Sequence, residues 1–292
     1  MILVVGSSGL LGGAIARALI AKRESVRILT RSSPAYQALI EMGAQSVVGD
    51  LKDRESLDAA CAGVATVITT ANAAMRLGAG DGSDTFESVD LVGTRNLIDA
   101  AAAAGVQQFI YTSAYAADAN SPNALLSCKG RSEQALAASG MNYTILAPHL
   151  FMEVWIGMVI GTALQGGNPV TLVGQGNHRH SFVSVTDIVS VALAVVGNTA
   201  AFNQRVPIGG AQAPTWTEVV QRTAQVLGRD VPISYVPMGA PLPIPTGTWD
   251  LMYSTEMYEA VIPMEAVAAR FGVTLTSLET VVRRMFNPGN ES

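Results

Sequence analysis

The sequence predicts an α/β fold: a doubly wound parallel sheet with a smaller C-terminal substrate lobe. Three observations carry this. Over residues 1–150, short β-branched apolar runs alternate with longer amphipathic stretches, as in right-handed βαβ units wound on one sheet. The links between them are short, and a Gly-rich turn joins the first run directly to the first helix. The expected division is 1–150 for the sheet domain and 151–292 for the lobe.

The strands of the first half are read at Ile2–Val5, Val26–Thr30, Ser46–Val48, Thr66–Thr70, Gln108–Thr112 and Tyr143–Leu146. Each is apolar throughout or nearly so, as strands covered on both faces should be. Between them the helical pattern falls on Leu11–Ala21, Ala35–Met42, Glu55–Ala60, Ser88–Ala104 and Asn123–Ser139. Gly105 and Gly140 stand where helix C-terminal glycines stand. Beyond Phe151 the rhythm loosens. Helices are expected at Glu153–Leu164, Asp187–Val196, Thr217–Leu227 and Ser277–Met285, and strands at Val170–Val173, His180–Val183, Gln204–Ile208 and Ile233–Val236. Leu77–Asp84 reads as a mobile Gly-rich loop, and the proline-rich Pro237–Pro245 as a lid or linker.

Composition excludes several classes. With 49% hydrophobic and 14% charged residues the chain is no disordered segment. A net charge of −5 leaves no basic excess for nucleic acid. The two cysteines, Cys61 and Cys128, make no disulfide scaffold, and with His149, His178 and His180 they show no zinc spacing. The longest apolar segment, Val154–Leu164, is too short for a membrane span, and the first strand follows Met1 at once. The expectation is a cytoplasmic protein without leader, metal or membrane span. The helix Ser88–Ala104 is a candidate homodimer face, although Asp90, Arg95 and Asp99 suit a helix that covers the sheet.

Gly6-Ser7-Ser8-Gly9-Leu10-Leu11-Gly12 follows the first strand and opens the first helix. Glycines there let the backbone turn tightly and approach a pyrophosphate, and the helix N-terminus offers N–H groups to it. Gly6, Ser8, Gly9, Leu10, Leu11 and Gly12 are therefore candidate dinucleotide contacts. After the second strand an NAD site wants an acid, but the sequence reads Thr30-Arg31-Ser32-Ser33. Arg31 suits a 2′-phosphate, with Ser32 as a hydroxyl donor, and this favours NADP(H). The alternative for Arg31 is a solvated surface arginine. Asp50 and Leu51 end the third strand and face the adenine side, with a helix cap as the alternative for Asp50. Thr70, Ala71 and Asn72 end the fourth, where small residues admit the cofactor.

At the reacting end, strand five closes on Ser113, Ala114 and Tyr115, and the next helix carries Lys129. A lysine there would bond the nicotinamide ribose or steady a developing oxyanion. Alternatively, Lys129 and Glu133, spaced i,i+4, form a surface ion pair. Ser113 is a candidate for positioning substrate and Tyr115 for donating a proton, against a strand-end serine and a loop aromatic. Cys128 reads as a packing residue. Phe151, Met152, Trp155, Met158 and Trp249 are candidates for an apolar pocket or for plain core, and Asp187 for a helix cap.

The runs GSSGLLG (6–12), VRILTR (26–31), VVGDLKD (47–53), FIYTSA (109–114), LAASG (136–140) and YTILAP (143–148) resemble the atypical short-chain dehydrogenase/reductase superfamily, most closely its NmrA-like and isoflavone-reductase-like members. Weaker likeness continues through SFVSVTDI (181–188) and VPIGG (206–210) to RFGVTLTSLE (270–279). The resemblance implies a Rossmann domain binding NADP(H) and a variable substrate lobe. The family holds both NADPH-dependent reductases and non-catalytic redox sensors or assembly factors. Two departures bear on chemistry. The tyrosine that classical members carry four residues before the lysine is Leu125 here, which leaves Lys129 the role it has in isoflavone-reductase-like members. The arginine usual before Pro148, itself a candidate cofactor contact, is Ala147, and His149 follows as a substitute proton donor or as a structural or substrate-shaping residue. The expected activity is NADPH-dependent reduction of a small apolar carbonyl, enone or quinone, with a non-catalytic NADP(H)-binding sensor or assembly factor as the alternative. A sugar epimerase would want the missing tyrosine.

Overall fold

The computed structural model describes residues 1–31, 36–74, 77 and 84–286. Ser32, the start of the expected helix at Ala35 and the interior of the Leu77–Asp84 loop lie outside the described residues. The strands are β1 (Ile2–Val5), β2 (Val26–Thr30), β3 (Gln45–Val48), β4 (Thr66–Thr69), β5 (Gln108–Thr112), β6 (Asn142–Pro148), β7 (Leu150–Phe151), β8 (Val170–Val173), β9 (Phe182–Val183), β10 (Gln204–Ile208) and β11 (Ile233–Val236). The α-helices are α1 (Leu10–Ala21), α2 (Gln37–Glu41), α3 (Arg54–Cys61), α4 (Thr94–Ala103), α5 (Ala124–Ala137), α6 (Met152–Ile156), α7 (Thr162–Gly166), α8 (Val185–Val195), α9 (Trp216–Leu227), α10 (Trp249–Ser254), α11 (Glu265–Phe271) and α12 (Leu278–Phe286).

The chain forms two compact units, Met1–Ala147 with Ile188–Pro207, and Pro148–Asp187 with the chain from Ile208 on. This differs from a contiguous cut at 150, because residues 188–207 return to the first unit. Buried polar side chains explain the return. Gln108, 1% exposed, donates from Nε2 to Val195 O at 2.8 Å and accepts from Gly197 N at 2.8 Å. Thr144 donates to Ala201 O at 2.9 Å. Each group would otherwise lie unsatisfied in the interior, at a cost of about 1–3 kcal/mol.

The main sheet has seven strands in the order β10-β6-β5-β4-β1-β2-β3, and the pairings from β3 across to β6 are parallel. The chain builds outward from β1 to β3, then crosses back to β4 on the other side. That reversal puts the crevice for a ligand at the carboxyl ends of β1 and β4. Alternate residues serve opposite faces. Leu3, Val5, Val67, Phe109, Tyr111 and Ile145 pack in one core with residues of α3, α4 and α5.

The expected helix Ser88–Ala104 begins earlier and changes pitch. Phe86–Gly93 winds as a π-helix and runs on into α4. Thr85 and Ser88 close its start reciprocally, Ser88 N donating to Thr85 Oγ1 and Thr85 N to Ser88 Oγ. Helices α3 and α5 pack against this helix inside the first unit. The second unit has its own core of Trp155, Ile156, Leu172, Phe182, Trp216, Val220 and Leu278, among others. Its short strands pair as β11 with β8 and β7 with β9. The strand expected at His180–Val183 is only Phe182–Val183, and the helix expected at Glu153–Leu164 is α6 and α7 joined by a π-wound turn.

Candidate functional site

The glycine run forms a cradle with no space for side chains. Gly6 sits at φ +87°, and a Cβ there would meet Ala71 N and Thr70 Oγ1 at 2.8 Å. At Gly12 a Cβ would come within 2.4 Å of Gly6 O and 2.5 Å of Thr70 Oγ1. Both contacts are closer than real Cβ atoms tolerate, so the β1–α1 turn and the end of β4 close on each other only with glycine at 6 and 12. Gly9 caps α1 without a side-chain hydrogen bond, and the helix's first turn carries no acid. The positive end of the helix is thus left for an anion. Ser7 Oγ, 3% exposed, has no hydrogen-bond partner among the described residues. The cradle and this orphaned hydroxyl fit a dinucleotide pyrophosphate. Ser8, the serine expected to contact the dinucleotide, is exposed beside Ser7. Leu11 is buried, whereas Leu10 is 52% exposed at the mouth of the turn. Ala71 is half-buried beside Gly6, and Asn72 folds back on its own turn, donating to Thr70 O and accepting from Ala74 N.

At the end of β2, Arg31 is no free surface arginine. Its Nη1 lies 3.2 Å from Asp84 Oδ2 and 3.6 Å from Asp50 Oδ2. Lys52 Nζ lies 2.8 Å from Asp84 Oδ1. Burial pushes the Asp84 carboxyl up, but hydrogen bonds from Lys52 and Arg31 outweigh it and hold the group below the usual carboxylate range. The sequence reading missed Lys52 and Asp84, which no local motif marks. The capping alternative for Asp50 is corrected: Asp53 accepts from Glu55 N and caps α3. Asp50 instead accepts from Lys52 N at 2.9 Å. Leu51 is buried, with Gly93 packed over its Cβ.

The residues chosen for the reacting end fall into two networks in the first unit. Ser113 is 4% exposed and gives its hydroxyl to Glu133. Glu133 also pairs with Arg205 Nε at 3.0 Å. Arg205 Nη2 donates to Ala114 O and Tyr115 O, both at 2.9 Å. The loop that carries the half-buried Tyr115 is therefore clamped by the returning segment. Glu133 is not the partner of Lys129, which corrects the surface-pair alternative. Lys129 is 5% exposed. Its Nζ lies 3.3 Å from Asp90 Oδ1 and donates to Thr112 O at 3.2 Å, over the ring of Tyr111. Asp90 is fully buried and also accepts from Ala73 N at 2.9 Å. Burial opposes the Lys129 ammonium, but Tyr111 and Asp90 outweigh it and raise its pKa. Asp90 was legible as a lone acid between Val89 and Leu91.

Pro148, buried at the end of β6, and His149 belong to the second unit. His180 Nε2 lies 2.8 Å from Thr255 O. A carbonyl only accepts, so His180 carries its proton on Nε2 and turns a bare Nδ1 to His149. His149 Nε2, 3.1 Å away, is then the donor. Tyr258 packs edge-on against His180. Burial, and then the neighbouring His180, push His149 down to about 3. A neutral imidazole with its N–H already donated is a poor proton donor.

Of the apolar pocket candidates, Met152 and Trp155 lie in the core, and Phe151, Met158 and Trp249 pack half-buried against it. A cleft of about 740 Å³ in this unit is lined instead by Arg179, Gln212, Arg222, Pro263 and Glu265, among others. Asp187 is no helix cap, because its carboxylate accepts from Thr276 N and Oγ1. The start of α8 is held by Glu153, which accepts from Ser184 Oγ and Val185 N. Within the proline-rich stretch, Leu242 is buried and Ala240 O accepts from Tyr253 OH. Cys128 is buried, and its thiol is pushed up to about 11 by burial and then by Glu87. Among the described residues no cluster of three or more His, Cys, Asp or Glu could hold a metal, and no helix is long and apolar enough to cross a membrane.

The model of the NmrA-like family matches residues 1–281. An NAD(P)H azoreductase of Xenophilus azovorans is 30% identical over 237 residues, 81% of this chain and 76% of the relative. The photosystem II assembly factor Ycf39 of Synechocystis sp. is 31% identical over 239 residues, 81% of this chain and 71% of the relative. Among solved structures, the NADPH-dependent quinone oxidoreductase QOR2 of Escherichia coli, complexed with NADPH, superposes with a TM-score of 0.80. It does so at 23% identity, over 98% of this chain and all of that one (100%).

Proposed function

The chain belongs to the NmrA-like family, and on that premise we propose that it is an NADP(H)-dependent reductase of a small apolar carbonyl, enone or quinone. The observation that carries this reading is the Gly6–Gly12 cradle, closed on Thr70 where only glycine fits. Gly6, Gly9, Gly12 and the first turn of α1 would hold the pyrophosphate. Arg31 would hold a 2′-phosphate, and Leu51 and Ala71 would offer apolar contacts. When bound, NADPH supplies a hydride. The buried Lys129 ammonium would orient the nicotinamide ribose and offset negative charge on a carbonyl oxygen. Its raised pKa makes it an electrostatic group and no proton donor. Ser113 and His149 have already committed their protons, so the proton falls to water or to Tyr115. The second unit is read as the part that selects the substrate.

Two observations favour the other reading, a non-catalytic NADP(H)-binding redox sensor or assembly factor. Leu125 stands where the proton-donating tyrosine would be, and the Ycf39 relative is as similar as the azoreductase. Calorimetric titration with NADPH, NADP⁺, NADH and NAD⁺ tests the shared premise. Tighter binding of NADPH than of NADH is expected, and absence of binding by all four would end both readings. NADPH consumption over a panel of quinones, enones and azo dyes then separates them. Turnover supports the reductase, and binding without turnover across the panel moves the conclusion to the assembly factor.

A further inference from the structure

Four charged side chains meet beyond the ends of β2 and β3. Arg31 and Lys52 are cations, with side chains 39% and 34% exposed. Asp50 is 31% exposed and Asp84 only 4%. The two oxygens of Asp84 are divided between the cations, Oδ1 to Lys52 at 2.8 Å and Oδ2 to Arg31 at 3.2 Å. The cluster therefore sums to no net charge. This is the end of the second strand, where the ribose of a bound dinucleotide is read.

A phosphate monoester carries about −1.5 to −2 charges near neutral pH and accepts from a guanidinium and an ammonium together. Two free cations would select it strongly over a ribose hydroxyl. Cations already satisfied by a nearly buried carboxylate would not. We propose that Asp84 sets the nucleotide preference of this protein, by competing with the 2′-phosphate for Arg31 and Lys52, and that Lys52 is a second phosphate-binding cation. The inference rests on the dinucleotide reading above and adds to it. The protein has a modest preference for NADPH, tuned by an acid remote from Arg31 in sequence. Entry of the 2′-phosphate turns Arg31 and Lys52 from Asp84 to the phosphate oxygens. NADH asks for no such exchange, and its affinity is independent of Asp84.

The test is binding of NADPH and NADH to the purified full chain, with wild type, Asp84→Asn and Lys52→Met compared by calorimetry. Removing one carboxylate charge a few ångströms from a phosphate, in surroundings between water and protein interior, is expected to tighten NADPH about tenfold. NADH should stay within about twofold of wild type. Lys52→Met should weaken NADPH by about tenfold and spare NADH. Unchanged NADH binding also shows that each variant is folded. An Asp84→Asn protein whose NADPH-to-NADH ratio equals or falls below that of wild type overturns the inference and leaves the dinucleotide reading standing. Wild-type protein that binds neither nucleotide overturns both.

Discussion

Lys129 in the first unit and His149 in the second are both basic side chains turned largely away from water, and they end in opposite charge states. Lys129 has a carboxylate, Asp90, at 3.3 Å. His149 has a second imidazole at 3.1 Å, itself held by a carbonyl. Burial disfavours the cation in both places. Tyr111 and the Asp90 carboxylate together reverse that outcome at Lys129 and a neutral imidazole does not at His149, so the partners decide whether a buried basic group can serve as a charge. The sharpest way to break the contrast is to take the carboxylate away. Asp90→Asn leaves a buried ammonium facing an amide, and urea unfolding should show a loss of about 3–5 kcal/mol. The pair Asp90→Leu with Lys129→Met should regain most of that. It should not regain all, because Ala73 N loses its acceptor. A loss below about 1 kcal/mol in Asp90→Asn would mean that the charge is held by other groups.

The neutral side of the contrast is tested by acid. The folded pKa of His149, about 3, lies below its ordinary value of 6.5. Its contribution to stability is complete above pH 6.5 and is lost as the pH falls towards 3, because the unfolded chain takes up the proton first. Between pH 6.5 and 5 the loss should be about 2 kcal/mol. Carboxylates titrate lower in the same scan, so the quantity to measure is the difference between wild type and His149→Gln. Wild type should fall more steeply. Parallel stability curves would show that His149 is charged in the folded protein, and the contrast with Lys129 would disappear.

The parts of the molecule that sequence revealed are those fixed by local pattern. Strands β1, β2, β5, β8, β10 and β11 stand at the expected residues, because each is a short run built around β-branched or aromatic residues. The glycine cradle was legible for the same reason: strand, turn and helix are contiguous, and a tight backbone approach demands glycine. What escaped depends on pairing across the chain. Lys129 finds Asp90, 39 positions earlier, in preference to Glu133 on its own helix; Arg31 finds Asp84; Glu133 finds Arg205. No periodicity encodes such partners. The return of residues 188–207 to the first unit was hidden likewise, since it rests on Gln108 and Thr144, two polar residues within apolar strands. A buried polar residue in a strand was the available signal.

The smallest effect belongs to the pair between these extremes. Arg205 is 34% exposed and Glu133 14%, so water screens much of their attraction. If exposure sets what an ion pair is worth, Arg205→Ala should cost about 1 kcal/mol or less. That is well under the cost of Asp90→Asn, although Arg205 makes more hydrogen bonds. Its effect should be local. Ala114 O and Tyr115 O lose the Arg205 guanidinium, and the Ser113 hydroxyl keeps Glu133. Amide hydrogen exchange should therefore quicken in the loop after β5 and stay unchanged in β1 and β4. Global destabilisation on the scale of Asp90→Asn would show that the clamp belongs to the folding core, and that exposure is a poor guide to the strength of these pairs.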